Sequence, residues 1–176
     1  MSEIIVYASR YGTTKKYAME LSKRMCIDMI SYNDVSKLDN YDRIIYLGAI
    51  YAGGVLGLSK TFKKMSNLDN KRLVVVTVGL ADPHDKDNIE SIDNGIKKQV
   101  SQAIFEKMSI YHLRGGIDYT RLNICLKLLM KLLYNRTKNM PVYKQTSVIR
   151  TMIETYNSVV DFVDFNELNV IISEIN

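Results

Sequence analysis

Short apolar runs alternate with segments of helical period along nearly the whole chain, and this constrains the fold more than any other feature. Glu3 to Ala8 is such a run, and it ends in a Ser-Arg-Tyr-Gly-Thr-Thr turn, after which Tyr17, Leu21 and Met25 recur at helical spacing. Cys26 to Ile30 reads as a weaker second strand, and Arg43 to Ala49 as a strong third behind the turn cluster Asp39 to Asp42. Leu58 to Met65 reads as a helix. Leu73 to Gly79 is rich in β-branched residues and continuous enough to be a strand buried on both faces. Asn88 to Lys107 places Ile89, Ile92, Ile96, Val100 and Ile104 on one helical face; Ser109 to Leu113 is a fifth strand and Asn166 to Ile175 a final helix.

Strands that alternate with helices pair in parallel through right-handed crossovers, because the helix must pack back on the sheet. The expected fold class is therefore α/β, a doubly wound five-stranded parallel sheet with helices on both faces. The stretch from Tyr119 to about Ser158 breaks the rhythm and reads as a helical insertion before the last helix. With no repeat or Pro/Gly-rich linker, the 176 residues are expected to form a single domain spanning 1–176.

The net charge of +5 is unevenly spread. Between Tyr119 and Ile153 there is no Asp or Glu, while Arg121, Lys127, Lys131, Arg136, Lys138, Lys144 and Arg150 lie there; without them seventeen basic residues face nineteen acidic ones. A basic patch without interleaved stacking aromatics or a known module does not point to nucleic acid. From Arg121 to Lys138, Asn123, Lys127, Lys131 and Tyr134 share a narrow polar stripe, and leucines fill most of the rest. That helix either packs into the domain or a partner, or lies on an anionic membrane surface as a peripheral contact. No signal peptide or spanning segment is read, so the expected location is cytoplasmic. Cys26 and Cys125 form no CxxC or Cys/His cluster and are expected to be core thiols, with no metal site.

In such a sheet, ligands bind beyond the carboxyl ends of the strands. The loop after the first strand offers Ser9, Arg10, Tyr11, Gly12, Thr13 and Thr14, three aliphatic hydroxyls and a glycine at a helix start, where free amides and the helix dipole favour a phosphate. The alternative is that Ser9 and Thr13 merely cap the helix. Lys15 and Lys16 stand where the dipole disfavours positive charge, which a bound anion would relieve and solvent would tolerate. Walker A and G-x-G-x-x-G fingerprints are absent, and a phospho-receiver would need carboxylates where Ser9, Arg10 and Ile50 stand.

Ser9-x-x-Gly12-x-Thr14 resembles the FMN phosphate loop of flavodoxins, and Gly48-Ala49-Ile50-Tyr51-Ala52-Gly53 their first isoalloxazine loop. The resemblance implies a strand order 2-1-3-4-5 and FMN as cofactor. Within the isoalloxazine loop, which also includes Ala49 and Ile50, Tyr51 would offer a ring face to the flavin or is a packed surface tyrosine, and Ala52, Gly53 and Gly54, with little or no side chain, would let a peptide approach the ring or serve only as turn residues. Gly79, Leu80, Ala81 and Asp82 would cover its pyrimidine edge, with Asp82 as either a turn former or a charge that opposes the reduced ring. His84 reads as a solvated loop residue. The chain is most similar to flavodoxin-domain proteins of the menaquinone-dependent protoporphyrinogen dehydrogenase type, because the Gly115 to Tyr134 stretch resembles the start of their insertion. That likeness implies an FMN oxidoreductase that passes hydrogen from a porphyrinogen to a quinone or other acceptor. Two other functions stand beside it: an electron carrier between redox partner proteins, and a regulatory module that has lost its cofactor.

Overall fold

The computed structural model describes residues 2–51 and 53–175. In chain order the elements are β1 (Glu3–Ala8), α1 (Thr13–Met25), β2 (Met29–Ser31), β3 (Arg43–Tyr51), β4 (Gly54–Val55), α2 (Leu58–Phe62), β5 (Arg72–Gly79), α3 (Lys86–Gln99), α4 (Gln102–Phe105), β6 (Met108–Arg114), β7 (Gly116–Asp118), α5 (Ile124–Thr137), α6 (Ser147–Glu154), β8 (Val159–Asp161) and α7 (Glu167–Ile175). The main sheet runs β2-β1-β3-β5-β6, all parallel, which is the expected order; β4 is a two-residue antiparallel addition to the end of β3.

Successive side chains of a strand point to opposite faces, so the central strands feed two cores. Ile5, Ile45, Leu47, Val74 and Val76 pack against Tyr17 and Leu21 of α1 and Leu168 and Ile171 of α7. Ile4, Val6, Ile44, Tyr46 and Val75 meet Leu58 and Phe62 of α2 and Ile96 of α3. Both layers are closed by ion pairing at the bottom edge, where the buried Arg43 guanidinium meets Glu3 and donates to the Ile175 carbonyl.

Several sequence expectations shift. The second strand begins at Met29 rather than Cys26, because Cys26 is the left-handed C-cap of α1 (φ 54°) and the chain is still turning there. The long helix expected over 88–107 divides into α3 and α4: Val100 is extended, and the Ser101 hydroxyl accepts from the Ile104 N–H to start a second short helix. The helix expected to reach Met65 stops at Phe62. Neither cysteine is a core thiol; both are exposed, Cys26 in its turn and Cys125 in the first turn of α5. The second, two-stranded sheet, β7 with β8, had no signature in the sequence.

One buried polar pair ties the sheet to α3. Thr77 Oγ1 lies 2.8 Å from His112 Nδ1 on the neighbouring strand, and Asp93 of α3 lies 3.8 Å from Nε2. Burial holds the imidazole below its ordinary pKa, with the Asp93 charge a smaller opposing influence. A histidine depressed in the folded state binds fewer protons there than in the unfolded chain, so its stability contribution is complete above about pH 6.5 and is lost as pH falls from there through the lower folded-state value. We expect the urea midpoint to drop between pH 7.5 and 5.5, and the drop to shrink in His112→Gln; an equal drop in both proteins would refute the assignment.

Candidate functional site

The loops after β1, β3 and β5 meet at one end of the sheet around a cavity of about 330 Å³. Arg10, Tyr11, Thr13, Thr14, Ala49, Ile50, Tyr51, Gly79 and Leu80 line it. Ser9 and Gly12 stand behind it in the first loop, while Gly53, Gly54, Ala81 and Asp82 lie outside its lining. Ala52 falls outside the described residues.

The first loop is shaped by Gly12, whose φ of 101° suits only a residue without a side chain. Its N–H donates to Ser9 Oγ at 3.1 Å, closing the turn that aims the start of α1 at the cavity. The capping alternative does not hold: α1 has no side-chain cap and no acidic residue in its first turn. Its leading amides therefore lack the partner such groups normally find. Beside them Thr14 is fully buried, and its hydroxyl has no hydrogen-bond partner, an arrangement that costs free energy unless a ligand completes it. The lysines divide. Lys15 is exposed, whereas Lys16 makes a 2.6 Å ion pair with Asp161 of β8, which holds that carboxyl below its usual range and pins the second sheet to α1.

The second loop is a tight hairpin in which Ile50 pairs with Val55 and Tyr51 with Gly54, and Gly53 takes φ 78°. Two α3 residues hold it from below, and neither was legible as a site residue. Gln99 accepts from the Val55 N–H at 2.7 Å and donates to the Val55 carbonyl at 2.9 Å. Gly95 lets α3 approach so closely that a Cβ there would stand 2.8 Å from the Gly53 carbonyl oxygen. Tyr51 is half-buried, and the Arg10 guanidinium stacks over it, 4.4 Å from the ring centroid.

In the third loop Asp82 is a turn former: its carboxylate accepts from the His84 N–H at 2.8 Å, and its carbonyl accepts from Asn88 Nδ2 at 2.7 Å. His84 is exposed. Arg114 Nε donates to the Leu80 carbonyl at 3.1 Å, and the Gly115 N–H to Gly79 at 2.6 Å, so β6 fixes where this loop ends.

The chain belongs to the flavodoxin domain family. The family model matches residues 4–143, from β1 through α5. Among solved structures, the chain is similar to a flavoprotein in complex with FMN from Lactobacillus acidophilus (12% identity over 64% of this chain and 91% of that one, TM-score 0.43). It is also similar to oxidised flavodoxin 1 from Bacillus cereus (14%, 73% and 94%, 0.43) and to a Fusobacterium nucleatum flavodoxin bound to flavin mononucleotide (18%, 68% and 80%, 0.39). No curated protein matches.

The basic insertion supplies the remaining wall of this flavodoxin domain's cavity. Leu122, just before α5, and Leu126, Leu129, Met130 and Leu133 on it face the three loops across the cavity, the α5 residues at spacings of three and four that keep them on one side of the helix. These residues were missed as site residues because the leucines on the other side mask the pattern. Ile124, Leu128 and Leu132 are 78%, 57% and 68% exposed, so α5 is apolar on two sides. It is anchored at its far end, where Tyr134 stacks on Tyr156 at 4.0 Å between ring centroids and Tyr156 meets Tyr119 edge-on. Among the described residues no helix is long and apolar enough to cross a membrane.

Proposed function

We propose that this protein is an FMN-dependent redox protein in which the Ser9–Thr14 loop holds the phosphate and the flavin ring occupies the cavity beside Tyr51. Membership of the flavodoxin domain family supports FMN as the cofactor. The observation that carries the reading is the orphaned, buried Thr14 hydroxyl beside uncapped helix-start amides, a donor set suited to a phosphate. Ser9 Oγ, already accepting from Gly12, keeps its own proton free to donate. Ala49 to Gly54 and Gly79 to Asp82 would flank the ring. Bound FMN would supply hydride or single-electron transfer.

The rest falls to the chain's own side chains. Ile50, Leu80 and the α5 leucines give the cavity an apolar lining, and Leu129 and Leu133, 49% and 39% exposed, leave its open side suited to an apolar molecule. This favours an enzyme of the protoporphyrinogen dehydrogenase type, which delivers hydrogen to a quinone or other acceptor, over a carrier that presents its ring to protein partners. Ile124, Leu128 and Leu132, flanked by Lys127 and Lys131, would rest on an anionic membrane surface where such an acceptor dissolves. To test this, protoporphyrinogen is mixed anaerobically with the FMN-loaded protein, with and without menaquinone-containing anionic vesicles. Turnover that requires the vesicles supports the enzyme; flavin that cycles only with a protein reductase supports the carrier.

A further inference from the structure

The charges around the cavity are lopsided. Among the described residues that line it, Arg10 is the one charged side chain, and no Asp or Glu joins it. Arg10 also takes part in none of the ion pairs among those residues. Although the residue is exposed, its guanidinium stacks 4.4 Å from the Tyr51 ring centroid, bridging from the phosphate loop to the ring loop. Of the two carboxylates in the loop after β5, Asp82 is exposed and committed to the His84 N–H, and Asp85 caps α3 by accepting from the Asn88 N–H. The remaining walls are mostly apolar, Ile50, Leu80, Leu126, Leu129 and Met130 among them, so no opposing charge meets the cation's field on the cavity side.

We propose that Arg10 sets the redox preference of the site by binding reduced FMN more tightly than oxidised FMN. The inference rests on the FMN reading above. The flavin ring that accepts two electrons and one proton carries one more negative charge than the oxidised ring. An unpaired guanidinium at the ring end of a carboxylate-free, apolar cavity favours that charge, whereas it meets no net charge on the oxidised ring. Because affinity and potential are linked, preferential binding of the reduced form raises the two-electron potential of bound FMN. The site is then tuned to receive a hydrogen pair from a substrate, not to deliver electrons at low potential.

The test measures Kd for oxidised FMN and, anaerobically, for FMN reduced by dithionite, which gives up two electrons as it is oxidised to bisulfite while water supplies the proton. Wild type, Arg10→Gln and Arg10→Lys are compared; Arg10 is exposed, so its replacement leaves the core intact. In Arg10→Gln the affinity for reduced FMN is expected to fall at least tenfold further than that for oxidised FMN, equivalent to a potential lower by about 30 mV. Arg10→Lys should restore most of the difference. Wild type that binds both forms, with Arg10→Gln weakening them equally or sparing the reduced form, overturns the role of Arg10 alone. Wild type that binds neither form overturns the FMN reading with it.

Discussion

Thr14→Val should make the ligand-free protein more stable and its flavin site weaker. Valine keeps the shape of threonine and removes a buried hydroxyl that has no partner, a group whose burial costs about 1–3 kcal/mol when unsatisfied. The ligand-free denaturation midpoint should therefore rise. With FMN the sign reverses, since on the proposed reading the same hydroxyl donates to a phosphate oxygen. A charge-assisted bond of about 1.5–3 kcal/mol is then missing, and Kd should increase about 10- to 100-fold. Urea unfolding of the ligand-free protein and quenching of flavin fluorescence measure the two halves. A less stable variant with unchanged affinity would mean that Thr14 serves packing only.

Phe62→Ala is expected to have the largest effect on stability, a loss of about 3–5 kcal/mol. Phe62 is 1% exposed and closes α2, a helix of five residues that has little else to hold it. Its ring packs 5.8 Å from that of Tyr46, whose hydroxyl donates to the Leu56 carbonyl between the ring hairpin and α2. Against a total of about 5–15 kcal/mol for a domain, such a loss would leave a marginal fold. Chemical denaturation checks it; a loss below about 1 kcal/mol would mean that this core collapses around the missing ring.

The sheet was legible because each parallel strand announces itself by an apolar run: Val74 to Val78 lies buried on both faces, and the order follows from the alternation together with the family resemblance. Boundaries were harder where a turn uses ordinary residues. Cys26 is no glycine, yet it takes the left-handed cap of α1. In the site, the residues that signalled themselves did so by composition, with hydroxyls at a helix start and small residues in a turn. Gln99 and Gly95 gave no such signal, because their roles lie in contacts with Val55 and Gly53 across more than forty residues of sequence. Lys16 was ambiguous as a neighbour of the phosphate loop until its partner, Asp161, arrived from the far end of the chain.

The insertion carries the most function that the sequence could not apportion. Its helix is apolar all round except for a stripe, and such a pattern does not reveal which leucines face inward. The fold decides: Leu126, Leu129, Met130 and Leu133 line the cavity, with Leu129 and Leu133 still 49% and 39% exposed at its rim, and Ile124, Leu128 and Leu132 line no part of it. On the proposed reading, one helix joins the cavity to a surface that would meet anionic lipid.

The central claim is that the first loop recognises a phosphate, and comparing FMN with riboflavin, which shares the ring and lacks the phosphate, tests it most directly. Uncapped amides, the α1 dipole and the Thr14 hydroxyl acting together should make FMN bind on the order of 100-fold more tightly than riboflavin in parallel titrations. Equal affinity for the two, or binding of neither, would contradict the account.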